Sequence, residues 1–178
     1  MNLDYQQFLP ISFSDNSKVW IYQSSRLFAI NEAFEMEELF NAFVADWKTH
    51  GTPVRGFANL FFGQFIIIMA DEMAMGTGVS GCSTDSSVRL IKDIEKRFKV
   101  DMFNRQNLAF LVKGKIELLP LPHLNHAIAN NFITANTIYF NNLVATKKEL
   151  LNKWIIPVNE SWLANKLEVV NTSTKTPI

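Results

Sequence analysis

Six consecutive apolar residues, Phe65-Ile66-Ile67-Ile68-Met69-Ala70, most constrain what this chain can fold into. Successive side chains of a strand point to opposite faces, so a run that is apolar at every position needs cover on both. Such a strand belongs at the centre of a sheet. The run is also far shorter than the roughly 20 residues a membrane helix needs. Just upstream, Phe57 to Phe62 is a second apolar stretch, and Gly63-Gln64 separates the two. A glycine first in a two-residue loop predicts a type II′ hairpin.

The segments on either side supply helices. Met36, Leu39, Phe40, Phe43, Val44 and Trp47 recur at helical spacing and predict a helix over Asn31 to His50. Gly51 fits a left-handed stop, and Pro53 forbids continuation. Val88, Ile91, Ile94 and Phe98 form a second stripe, opened by the capping-rich Ser83-Thr84-Asp85-Ser86-Ser87. Val19 to Gln23 predicts a short strand. Leu108 to Val112 and Lys115 to Leu119, around Lys113-Gly114, predict another hairpin.

The order up to Val112 is therefore β-α-β-β-α-β. It predicts an α+β fold, ferredoxin-like, with both helices on one face of an antiparallel sheet. A C-terminal α/β extension follows. Pro122 to Phe132 predicts a helix and Thr137 to Phe140 a strand. Thr146-Lys147-Lys148-Glu149 matches a capping box ahead of a helix over Glu149 to Trp154. Trp154 and Trp162 bracket Ile155-Ile156-Pro157, a density of apolar bulk that predicts packing on the sheet. No linker interrupts residues 1–170, which read as a single domain, with 171–178 a frayed polar tail.

Composition narrows the function classes. The 178 residues carry 17 basic and 17 acidic side chains, and this balance removes the electrostatic term behind most nucleic-acid affinity. A lone cysteine, Cys82, allows neither an internal disulfide nor a multi-cysteine metal site. Met1 to Pro10 lacks the pattern of a secretory leader, so a cytoplasmic location is expected, without a membrane anchor.

One stretch has the makings of a site. Gly76 to Ser87 (Gly-Thr-Gly-Val-Ser-Gly-Cys-Ser-Thr-Asp-Ser-Ser) joins the buried strand to the second helix. Free N–H groups at a helix start attract anions, and glycines let a ligand approach the backbone. Gly81, Ser83, Thr84 and Ser86 are the candidate binding residues. Cys82, beside the first turn, is placed where a thiolate is stabilised, and Asp85 is the candidate to modulate it. The same residues also serve as ordinary caps and turn formers, and a single cysteine is commonly a small buried hydrophobe.

Sharper enzyme readings fail on spacing. No Gly-x4-Gly-Lys-Ser/Thr phosphate loop occurs, and Gly114-Lys115 lies in a hairpin. A cysteine phosphatase pattern needs five residues between Cys and Arg, whereas six separate Cys82 from Arg89. Cys-His catalysis needs a histidine beside Cys82; His50 ends the first helix, and the element order alone does not bring that end to the start of the second. His123 and His126, three apart, share a helix face but lack a third metal ligand. Asp71 and Glu72 point to opposite strand faces, so they are no ready acid–base pair; one of them facing Cys82 or a ligand is the alternative to a polar strand end. The Trp20-Ile21-Tyr22 and Phe57-to-Phe62 aromatics have no interleaved Lys or Arg for base stacking, so they read as packing.

Trp20-Ile21-Tyr22-Gln23, Trp47-Lys48-Thr49-His50-Gly51, Ser80-Gly81-Cys82-Ser83-Thr84-Asp85-Ser86-Ser87-Val88 and Val100-Asp101-Met102-Phe103-Asn104-Arg105 occur in this order. With Tyr139-Phe140-Asn141-Asn142-Leu143 and the Trp154 region, they resemble a family of small uncharacterised bacterial proteins often labelled "ABC transporter ATPase". The label does not fit this chain, which has no phosphate loop and is shorter than such an ATPase domain; the family brings no established activity, so the resemblance implies no catalytic residue. The first expectation is a non-catalytic binding or protein-interaction domain, with a small-anion site at Gly76–Ser87. A thiol-dependent enzyme or redox protein using Cys82 is the alternative. Expected partners are a small anionic ligand or another protein, a homodimer included, with no cofactor.

Overall fold

In the computed structural model, residues 1–49, 51–71 and 81–167 are described, with backbone only for 81–84. The fold is α+β with antiparallel sheets. It divides into two compact units, one of Leu3–Asn104 with Asn142–Leu151, the other of Met1–Asn2, Arg105–Asn141 and Asn152 onward. The polar tail lies outside the described residues.

The larger unit is built around the apolar run. Strand β5 (Phe65–Ala70) is paired antiparallel on both sides, with β1 (Lys18–Gln23) and with β4 (Gly56–Phe61). All six β5 residues are 0% exposed, as a covered central strand requires. Helix α1 (Ile30–Asp46) links β1 to β4, and α2 (Gly81–Phe98) follows β5. Since β1 and β4 both oppose β5, they run parallel to each other. This is the split β-α-β arrangement. Met36 and Phe40 of α1 and Ile91, Ile94 and Phe98 of α2 share one cluster with Ile66, Ile68 and Ala70. Both helices thus cover the same sheet face.

The expected fourth strand goes elsewhere. β6 (Asn107–Val112) does not join β1; it pairs with β7 (Lys115–Pro120) and β8 (Ile138–Phe140) in another sheet. The outer edge of β1 is met by the chain near residue 146 instead. Val19 donates to the Ala145 carbonyl at 2.9 Å, Lys147 N–H to that of Ser17 at 2.9 Å, and Lys18 bridges Thr146. Lys147 then anchors this segment. Its buried Nζ donates to the carbonyls of Pro10, Ile11 and Phe13 at 3.0, 3.1 and 2.7 Å. Three charge-assisted bonds replace the water an ammonium group loses on burial.

Helix α1 ends four residues before His50. At Trp47 the backbone becomes extended, with ψ 120°, and the indole is only 2% exposed. A Cβ on Gly56 would stand 2.6 Å from the Trp47 ring, so the ring needs a glycine beneath it. Leaving the helix places the indole there. Gly51, at φ +82°, turns between β2 (Lys48–Thr49) and β3 (Thr52–Pro53) rather than stopping a helix. The β4–β5 turn also differs from the type II′ expectation: Phe62 and Gly63 are left-handed at φ +53° and +65°. Gln64 donates from its backbone to Phe61 and from its side chain to the Ser24 carbonyl at 3.1 Å, which draws it inward.

In the smaller unit the sheet order is β7-β6-β8-β9, with β9 at Ile155–Pro157. The β6–β7 hairpin turns at Lys113-Gly114, with φ +49° and +76°, as the sequence predicts. Leu108, Phe110 and Tyr139 pack with Leu124 and Ile128 of α3 (Leu124–Ala129) and with Val158 and Leu163. Trp154 is fully buried against Phe140, whereas Trp162 is 44% exposed and donates to the Tyr139 hydroxyl. Helix α4 (Lys147–Lys153) opens with the predicted box shifted by one residue. Thr146 Oγ1 accepts from the Glu149 N–H, while the Glu149 carboxylate accepts from Ala145 rather than from Thr146.

Helix α1 begins on an ion pair. Glu32 accepts two bonds from Arg26, at 2.7 and 2.8 Å, and one from the Ala29 N–H at 2.7 Å. The guanidinium, aided by the Ala29 amide, pulls the Glu32 carboxyl from 4.5 down to about 2. A depressed folded-state value contributes stability above the ordinary value that is lost as the pH falls toward the folded one. Glu32→Gln should therefore flatten the fall in urea midpoint between about pH 5 and about pH 2. Arg26 is 44% exposed, so added salt should shrink the difference. Parallel acid limbs for the two proteins would refute this assignment.

Candidate functional site

Helix α2 starts earlier than its caps suggest. With the first described turn at Gly81, Cys82 is the second residue of an 18-residue helix, and Ser83 to Ser87 lie inside it. The side chains of Cys82, Ser83 and Thr84 lie outside the described residues. Gly76 to Ser80, His50 and Glu72 also lie outside the described residues. The three residues that follow diverge around the helix. Asp85 faces solvent, Ser86 is half-buried and Ser87 is fully buried. Of the expected binding loop, only these three side chains are described.

Ser86 does line a cavity. Between α1 and α2 lies an open groove of about 520 Å³, within the range typical of small-molecule sites. Leu39, Phe43 and Trp47 form one wall and Leu90 part of the other. The Phe43 and Trp47 rings lie 4.8 Å apart and tilted by 34°, forming one aromatic surface. Trp20 meets Trp47 edge-on at 6.3 Å from the sheet side. The charged rim consists of Asp46, Lys48, Arg89 and Asp93, all exposed. Among the described residues none of these four enters a salt bridge. The sequence stripe named Phe43 and Trp47 only as core residues. Lys48, Arg89 and the groove itself had no periodic signal, because they arise where one helix ends beside the other.

A second polar cluster closes the end of β5. Asp71 is 2% exposed, and its Oδ2 accepts from Arg55 Nη1 at 3.2 Å. Its Oδ1 is buried, with no hydrogen-bond partner among the described residues. Arg55 also donates to Ser12 Oγ and lies over the Phe13 ring at 5.1 Å. Sequence reasoning passed over Arg55, a single cation before a strand. This cluster fastens the 12–13 turn to the sheet.

Other candidates stay apart. His123 and His126 are exposed in the smaller unit, where the Asn130 amide donates to the His126 carbonyl at 2.8 Å. Among the described residues, no three His, Cys, Asp or Glu side chains are grouped to hold a metal ion. No helix there is long and apolar enough to cross a membrane.

Comparisons with family models, curated proteins and solved structures give no match. The family expectation thus rests on the motifs quoted above.

Removing Arg55 would leave a buried carboxylate uncompensated. Arg55→Met should destabilise by about 2 kcal/mol, below the usual figure for a broken buried pair because the guanidinium is 42% exposed. Asp71→Asn in that background should recover part of the loss. Urea unfolding of the three proteins measures both. An Arg55→Met midpoint equal to wild type would show that Asp71 does not depend on this cation.

Proposed function

We propose that the chain is a non-catalytic binding domain whose site is the α1–α2 groove, and that its ligand is an amphipathic organic anion. The observation that carries this reading is a cavity of small-molecule size with an aromatic wall and a charged rim. A planar apolar body would lie along Phe43 and Trp47, against Leu39 and Leu90. Its anionic end would meet Lys48 and Arg89, with the Ser86 hydroxyl beside them. The rim's formal charges cancel, so reach decides: Lys and Arg stems can extend over a ligand, whereas Asp46 and Asp93 are short. This moves the expected small-anion site a turn and a half along α2. The larger unit then reads as ferredoxin-like, with its fourth strand position taken by residues 145–147.

2-Naphthyl phosphate and uncharged 2-naphthol separate the two halves of the proposal. The phosphate should raise Tm and quench tryptophan emission, the naphthol should do so more weakly, and Arg89→Glu should abolish the difference. An unresponsive protein, or a response indifferent to Arg89→Glu, would remove the groove from consideration.

A second reading, a thiol-dependent enzyme or redox protein, is favoured by the place of Cys82 in the first turn of a long helix. Here the rate of alkylation by iodoacetamide against pH is decisive. A thiol titrating well below about 8.5 supports it, and one reacting only above that value ends it.

A further inference from the structure

We infer that β4 is a pairing edge, on which a second copy of this chain adds antiparallel to form a continuous sheet across a two-fold axis. The proposal is independent of the groove.

The alternation of bonds along β4 shows what its outer side presents. Asp71 N–H donates to the Arg55 carbonyl and Gln64 N–H to that of Phe61. Odd-numbered residues from 55 to 61 therefore bond inward, and Gly56, Ala58 and Leu60 direct their N–H and C=O groups outward. Of these groups only the Leu60 N–H has a partner among the described residues, the Asn59 Oδ1 at 2.8 Å. Five of the six strand residues are half-buried, as an unoccupied edge would be.

The other edges of the three- and four-stranded sheets are each protected. The free side of β1 is met by residues 145–147. β7 carries Lys115, Glu117 and Pro120, while β9 is three residues long and ends in Pro157. Charges, proline and shortness are the usual means of discouraging edge pairing. β4 (Gly-Phe-Ala-Asn-Leu-Phe) has six residues, no charge and no proline.

Self-pairing sets each residue against a symmetry-related one, so a charged strand would meet its own charge. An uncharged strand escapes this penalty, and that favours a second copy over a partner with a charged strand. With the axis through Ala58, Ala58 faces its own copy and Gly56 faces Leu60. Once the Leu60 N–H exchanges Asn59 Oδ1 for the Gly56 carbonyl of the second copy, all outward groups are paired, giving about six backbone hydrogen bonds.

Sedimentation of the full chain, from micromolar up to about 1 mM, tests this, with hydrogen exchange on the same samples. The expected result is a monomer–dimer equilibrium in which Gly56 and Ala58 amide protection rises at least tenfold with concentration. Ala58→Pro, which removes one outward N–H from an edge strand, should be monomeric with wild-type circular dichroism. Should Ala58→Pro not fold, Asn59→Lys, which brings like charges near the axis, is expected to be monomeric in its place. A monomer at every concentration overturns the proposal, as does a dimer that survives both substitutions. A wild-type monomer whose Gly56 and Ala58 amides become protected only on adding an extended Val-Thr repeat peptide also overturns it, by assigning the edge to a different partner.

Discussion

The larger unit depends on the burial of β5. Phe65 to Ala70 are excluded from water at every position. Burying each large member contributes about 1.5–3 kcal/mol, and together they outweigh the ion pairs described above. The requirement has four sides. β1 and β4 satisfy the backbone laterally, and α1 with α2 covers the face of Ile66, Ile68 and Ala70. On the face of Phe65, Tyr5 packs edge-on against Phe61 at 6.3 Å. Burial pushes the Tyr5 hydroxyl up to about 12, and it donates to the Leu150 carbonyl at 2.5 Å. The N-terminal residues and the 142–151 segment are thus drawn together over a strand far from both in sequence.

That dependence separates what the sequence made legible from what it did not. Periodicity is local, so the α1 stripe, the all-apolar β5 and the Lys113-Gly114 hairpin were readable from neighbouring residues. The end of α1 was not. Trp47 continues the helical stripe, but its indole is needed over Gly56, nine residues later, and the backbone yields to that contact. The start of α2 was misplaced for a related reason. Serine and aspartate favour caps, yet Ser87 is fully buried and Ser86 partly so, and packing outweighs their modest preference.

The fourth strand position was the least legible feature. Element order alone assigns it to β6, because consecutive elements usually adjoin. Residues 145–147 meet the outer edge of β1 instead, and they lie more than a hundred positions from it. Locally, Thr146 to Glu149 announced only a helix cap, which is present. Nothing in that pattern tells that the Lys147 amine turns away from water to three carbonyls at residues 10, 11 and 13. A lysine conventionally reads as surface, and only the converging carbonyls make its burial tolerable.

The site was legible to a similar degree. Ser86 was named because it lies near a helix start, and it does line the groove. The reason proves different, since a cavity needs two walls and the second is the end of α1. Had α1 continued to His50, Trp47 would have stayed on the helix stripe rather than turning to meet Gly56. The aromatic wall beside Leu90 and the close cover over the start of β4 both follow from that single departure. Gly56 is also the first outward-facing residue of the β4 edge. Its missing side chain is what admits the indole on one face, while the absence of charge along the strand keeps its outer bonds available. A larger residue there would displace Trp47 and alter both features together.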